Sequence, residues 1–154
     1  MPESSLPAAP RDVAARHFRQ RAQFQAVLST AALVHTAHFA LHGIPVAALT
    51  GARGAPLFPG DGAWLGVVVP KRWARRAVTR TTLKRQIYAV EREHPLPAGA
   101  WVVRLKRAFP TADFPSATSA ALRRAARHEL LQLLGPRLRQ RLAAGADLPR
   151  PAAP

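Results

Sequence analysis

Seven cations and no acid lie between Asp61 and Glu91: Lys71, Arg72, Arg75, Arg76, Arg80, Lys84 and Arg85. A solvated face usually interleaves both signs, because unneutralised neighbours repel one another. A run without local counterions is instead suited to neutralising a polyanion, with nucleic acid as the first expectation. Arginine greatly outnumbers lysine, which favours bidentate phosphate contacts and stacking on bases. The imbalance extends along the whole chain: 23 Lys and Arg against 8 Asp and Glu give a formal charge of +15 in 154 residues.

Other chemistries fail on residue type or spacing. The chain has no cysteine, which excludes a disulfide framework, a thiolate zinc site and a cysteine nucleophile. His128-Glu129 opens like a zinc-protease helix, but Gln132 stands where the second histidine belongs. Glu91 and Glu93, two apart on a helix, point about 200° apart and cannot share a substrate. Strict alternation would put His38 and His42 on one strand face and His35 on the other, with no nearby carboxylate to complete a metal site. The glycine-rich stretch 51–62 lacks the Lys-Ser/Thr of a phosphate-cradling loop. A self-sufficient nuclease would cluster carboxylates for Mg2+, and eight scattered acids do not. No catalytic residue, metal ligand or small-molecule site is expected in the chain itself.

Rigid elements must hold the cations. Residues 64–69 are a continuous apolar run closed by Pro70, the pattern of a strand covered on both faces. Residues 77–93 place Leu83, Ile87 and Val90 on one helical stripe, and Pro95 and Pro97 stop the helix. Lys71 to Arg76 thus leave a strand as a loop, and Arg80 and Lys84 stand one turn apart on the following helix. Elsewhere the spacing predicts a helix over 16–29 with Phe24, Val27 and Leu28 on one face. It also predicts a half-buried strand over 34–41, a second over 44–49, a loop over 51–62 and a buried strand over 100–105. A helix over 116–134 is capped by Ser116 or Ser119, and a short one covers 137–142.

The expected fold is an α/β (α+β) two-layer sandwich in the order α-β-β-β-α-β-α, with a small mixed sheet of about four strands packed by helices. Residues 1–15 read as a flexible tail, 16–134 as one domain, and 135–154 as a basic, then Pro/Ala-rich tail. Residues 1–10 lack the basic start and apolar run of a secretory signal. The uncharged span between Arg21 and Arg53 is interrupted by three histidines, Ser29-Thr30 and Gly43-Ile44-Pro45. It does not read as a membrane span, so the expected location is cytoplasmic.

The central segment carries a family resemblance. Leu65-Gly66-Val67-Val68-Val69-Pro70-Lys71-Arg72, then Arg76-Ala77-Val78-Thr79-Arg80, then Leu83-Lys84-Arg85-Gln86 resembles the signature of the bacterial ribonuclease P protein subunit. Weaker likeness extends to Phe24-Gln25-Ala26-Val27-Leu28, to residues 38–42 and to Val102-Val103-Arg104-Leu105. The resemblance implies a ribosomal-protein-S5-like fold and a protein with no catalytic side chain. Such a protein would bind the catalytic RNA subunit and precursor tRNA, while the RNA and its Mg2+ ions remove the 5′ leader. Lys71, Arg72, Arg80, Lys84 and Arg85 match the family's basic positions and would bind RNA, joined by the neighbouring Arg75, Arg76 and Thr81, and Phe24, Leu28 and His42 would line the leader cleft. Two departures stand out: the family's Arg-Asn-Arg reads Arg80-Thr81-Thr82, and Tyr88-Ala89 replaces Arg-Glu. Threonine can donate to a phosphate but cannot neutralise one, so each lost contact flattens the salt dependence by about 0.7 to 0.9 log units. The alternative is a ribosome-type structural RNA-binding protein with no part in cleavage, which fold and charge alone do not separate.

Overall fold

The computed structural model describes residues 14–46, 54–110 and 120–144. The elements run β1 (Arg16–His17), α1 (Arg21–Leu28), β2 (Val34–His35), β3 (Phe39–Ile44), β4 (Ala63–Val68), α2 (Ala77–Glu93), β5 (Gly99–Leu105), α3 (Ala120–Leu134) and α4 (Pro136–Ala143). Five strands form one mixed sheet in the order β1-β4-β5-β3-β2. The β1-β4 and β4-β5 pairs are parallel, while β3-β5 and β2-β3 are antiparallel.

Alternation along the central strands divides the core in two. Phe39, Leu41, Leu65, Val67, Trp101, Val103 and Leu105 pack with the apolar stripes of α2, α3 and α4 on one side. Ile44, Trp64, Ala100 and Val102 pack with Val27 of α1, Phe18, Leu57 and Phe58 on the other. The cation-bearing helix α2 and the helix α1 therefore cover opposite faces of the sheet. Gly66 permits close packing on the α1 side: a Cβ there would lie 2.6 Å from the Phe18 ring and 2.7 Å from Phe24.

Helix α2 has the bounds its apolar period predicts, and β4 and β5 lie within one residue of expectation. Three expectations need correction. Residues 16–17 are a strand, because Arg16 and His17 pair with Trp64 and Leu65. The helix begins later, where the Gln23 Oε1 accepts from the N–H groups of Arg19 (2.6 Å) and Gln20 (3.0 Å). The strand expected over 34–41 is a hairpin turning at 36–38, closed by Thr36 N–H to Phe39 C=O at 2.9 Å. The sheet thus has five strands, in the order β-α-β-β-β-α-β-α-α. Helix α4 packs on α3 with Leu138 buried in the main core, so the packed body continues past residue 134. The strand expected over 44–49 falls partly, and the Ser116 or Ser119 cap wholly, outside the described residues. Among the described residues no helix is long and apolar enough to cross a membrane.

Candidate nucleic-acid interface

The β4 strand ends at Val68, and Pro70 turns the chain: the N–H groups of Trp73 and Ala74 both donate to the Pro70 carbonyl at 3.0 Å. This fixes the loop that displays Lys71, Arg72, Arg75 and Arg76, all exposed. Helix α2 follows, with its Leu83, Ile87 and Val90 stripe buried and Thr81, Lys84 and Arg85 on the exposed side. Among the described residues, none of Lys71, Arg72, Arg75, Arg76, Lys84 and Arg85 pairs with a carboxylate.

Arg80 differs from its neighbours. It is half-buried, and its Nη1 donates to the carbonyls of Ala74 at 3.0 Å and Arg75 at 2.9 Å. It ties the loop to the first turns of α2, so a residue expected to contact RNA directly also shapes the loop bearing four other cations. Thr82 is buried, facing inward where the family signature has an arginine, whereas Thr81 faces outward. Tyr88 packs at the core margin and stacks on His17, with ring centroids 4.0 Å apart.

The nearby acids are committed to internal contacts. Glu91, 2% exposed, accepts from the N–H groups of Ala15 and Leu96, each at 3.1 Å, tying α2 to the chain entering β1. Glu93 holds Arg127 of α3 through two hydrogen bonds, and this partner lowers its carboxyl pKa. Glu129 accepts from the Thr36 hydroxyl at 2.6 Å, from the His38 backbone N–H, and pairs with His38 Nδ1 at 2.8 Å. None of these three carboxylates pairs with a cation of residues 71–85, so that segment keeps its positive charge. Sequence reading missed the roles of Gln23, Glu91 and Glu129, because each has partners that are backbone groups of other segments.

The second expected surface, on the α1 side, is only partly as anticipated. Phe24 and Leu28 flank the apolar layer, with Phe24 edge-on to Phe18 at 4.9 Å. His42 lies on the same sheet face but is 5% exposed, with both ring nitrogens engaged. Nδ1 lies 2.9 Å from the Thr30 carbonyl and therefore donates, and Nε2 accepts from Arg104 Nε at 3.4 Å. Burial lowers the His42 pKa, assisted by the Arg104 charge. His42 is thus closed off by packing and positions Arg104, which sequence reading did not single out although it interrupts an apolar strand. A cleft of about 450 Å³ opens instead at the N-terminal end of α1, lined by Arg16, Arg19, Gln23 and Trp64 among others. The histidine faces also change. Register places His35 opposite Ala40, on the His42 side, while His38 stacks on Phe109 at 4.0 Å beside Phe39. The turn at 36–38 resets the alternation.

A mixed α+β body displays cations on a fixed loop and helix, none of residues 71–85 paired with a carboxylate among the described residues, an arrangement suited to a polyanionic ligand. A family model described as Ribonuclease P matches residues 14–129. The chain belongs to the ribonuclease P protein family. It is 35% identical over 136 residues to the ribonuclease P protein component of Bordetella parapertussis, covering 84% of this chain and 93% of the relative. It is 47% identical over 73 residues to the component from Ralstonia pickettii, covering 46% of this chain and 51% of that one. The solved Staphylococcus aureus RNase P protein shares the fold with a TM-score of 0.54 at 17% identity, covering 88% of this chain and 99% of that structure.

Proposed function

We propose that this chain is the protein subunit of ribonuclease P, binding the catalytic RNA through residues 71–85 and the 5′ leader of precursor tRNA on the α1-covered sheet face. It promotes magnesium-dependent endonucleolytic 5′ maturation in the cytoplasm, with the chemistry carried out by the RNA. The observation that supports this most is the acid-free cationic stretch of residues 71–85, held by Arg80 and Pro70, on the opposite side of the sheet from Phe24 and Leu28. A protein with two separate nucleic-acid surfaces can hold a ribozyme and its substrate together, which raises the effective concentration of one for the other.

The described residues do not fit a protein-held Mg2+. Glu91, Glu93 and Glu129 are engaged by backbone, arginine or histidine partners, and no three potential ligands gather among the described residues. Mg2+ wants an octahedron of oxygens, so this reading assigns it to the RNA and derives no step through it.

The leader contact is tested by substrate comparison. Phe24→Leu keeps apolar volume but removes the flat ring. In the holoenzyme it is expected to weaken binding of leader-bearing precursor about fivefold, the scale of one lost base stack, with little effect on mature tRNA. Equal weakening of both would remove the leader assignment.

A further inference from the structure

We propose that Trp73 and Arg72 form a stacking site for one unpaired nucleobase of bound RNA, set inside the cationic loop. The inference rests on the RNA-binding reading of residues 71–85 and adds base contact to phosphate contact. Of the three tryptophans in the chain, Trp64 and Trp101 are 7% and 0% exposed. Trp73 is half-buried, one edge packed against the main core. The Arg72 guanidinium lies over its ring, with Cζ 5.3 Å from the centroid. A flat cation on that face marks it as accessible to a flat ligand.

The surroundings select the ligand. Lys71, Arg75 and Arg76 lie within three positions of Trp73 in the chain and are exposed, so an approaching aromatic group meets the indole best when carried on a chain of anions. Unpaired RNA has that chemistry: each base presents a π-face regardless of identity, and phosphates lie on both sides of it. The base exchanges with Arg72 on the indole face, and the guanidinium moves to a phosphate or onto the base. The loop is already braced for this, by the two N–H bonds to Pro70 and by Arg80 on the carbonyls of Ala74 and Arg75.

The test compares two polyanions on the full chain, oligoadenylate and inorganic polyphosphate, which lacks bases. Trp73→Leu keeps the apolar contact with the core, and Trp73→Phe keeps an aromatic ring. Trp73→Leu is expected to weaken oligoadenylate binding about tenfold, as loss of one stacked base does, and polyphosphate binding less than about twofold, because the cations remain. Trp73→Phe should restore most of the loss. Oligoadenylate should also quench wild-type tryptophan emission, with the quenching absent in Trp73→Phe. Equal weakening toward both ligands, or unchanged oligoadenylate affinity in Trp73→Leu, would overturn the stacking site while leaving the RNA-binding reading intact. A wild-type chain that bound neither polyanion would overturn both.

Discussion

Replacing Lys84 and Arg85 together by glutamine is expected to lower affinity for the catalytic RNA roughly 50-fold at 0.1 M salt, with the slope of log affinity against log salt reduced by about 1.4 to 1.8. Both side chains are exposed on α2 and have no carboxylate partner among the described residues. Each can therefore release counterions from a phosphate in full. Their removal should leave the fold unaffected, because the buried stripe of α2 is Leu83, Ile87 and Val90. Arg80→Lys provides the contrast. It keeps a positive charge but replaces the guanidinium that bridges Ala74 and Arg75. Weaker binding with a nearly unchanged slope is expected, since the loop is disturbed and no charge is lost. Titration at several salt concentrations separates the two behaviours, and an unchanged slope in the double variant would show that α2 is not the RNA face.

Gly43→Ala is expected to destabilise the fold by about 3 kcal/mol, the upper range for overpacking a well-filled core. A Cβ at this position would lie 2.5 Å from both Cε3 and Cζ3 of Trp101. The indole has little room to yield: it is fully buried, and its Nε1 donates to the Pro97 carbonyl at 2.8 Å. Register explains the crowding, because Gly43 sits opposite Trp101 across the β3-β5 ladder. Urea denaturation should show a lower midpoint with an unchanged m-value. A midpoint equal to that of the wild type would mean the strands separate more easily than this packing allows.

Gly43 also shows where the sequence was hard to read. Gly43-Ile44-Pro45 looks like a break, yet Gly43 lies inside β3. Its reason is a tryptophan 58 positions along the chain, which no local pattern reveals. The same applies to Glu91, whose partner Ala15 is 76 residues away, and to Glu129, which braces a hairpin 91 residues distant. Helix α2, β4 and β5 were legible because their apolar periods run long enough to set type and bounds. Two-residue strands such as β1 and β2 carry no period, so they were absorbed into a longer helix and a longer strand. For the candidate site, residue types located a cationic segment whose side chains are mostly exposed. They did not show that Arg80 serves the loop, that His42 is enclosed, or that the Arg72 guanidinium lies over Trp73.

On the proposed function, this protein assists a catalytic RNA in maturing tRNA. The most direct measurement is cleavage of precursor tRNA by the cognate catalytic RNA at low Mg2+, with and without the full-length protein. The account predicts that adding the protein increases 5′-leader removal under those conditions, and that the Lys84, Arg85 double variant needs more protein to reach the same rate. Processing that is the same with and without the protein, at concentrations where it binds the RNA, would contradict it.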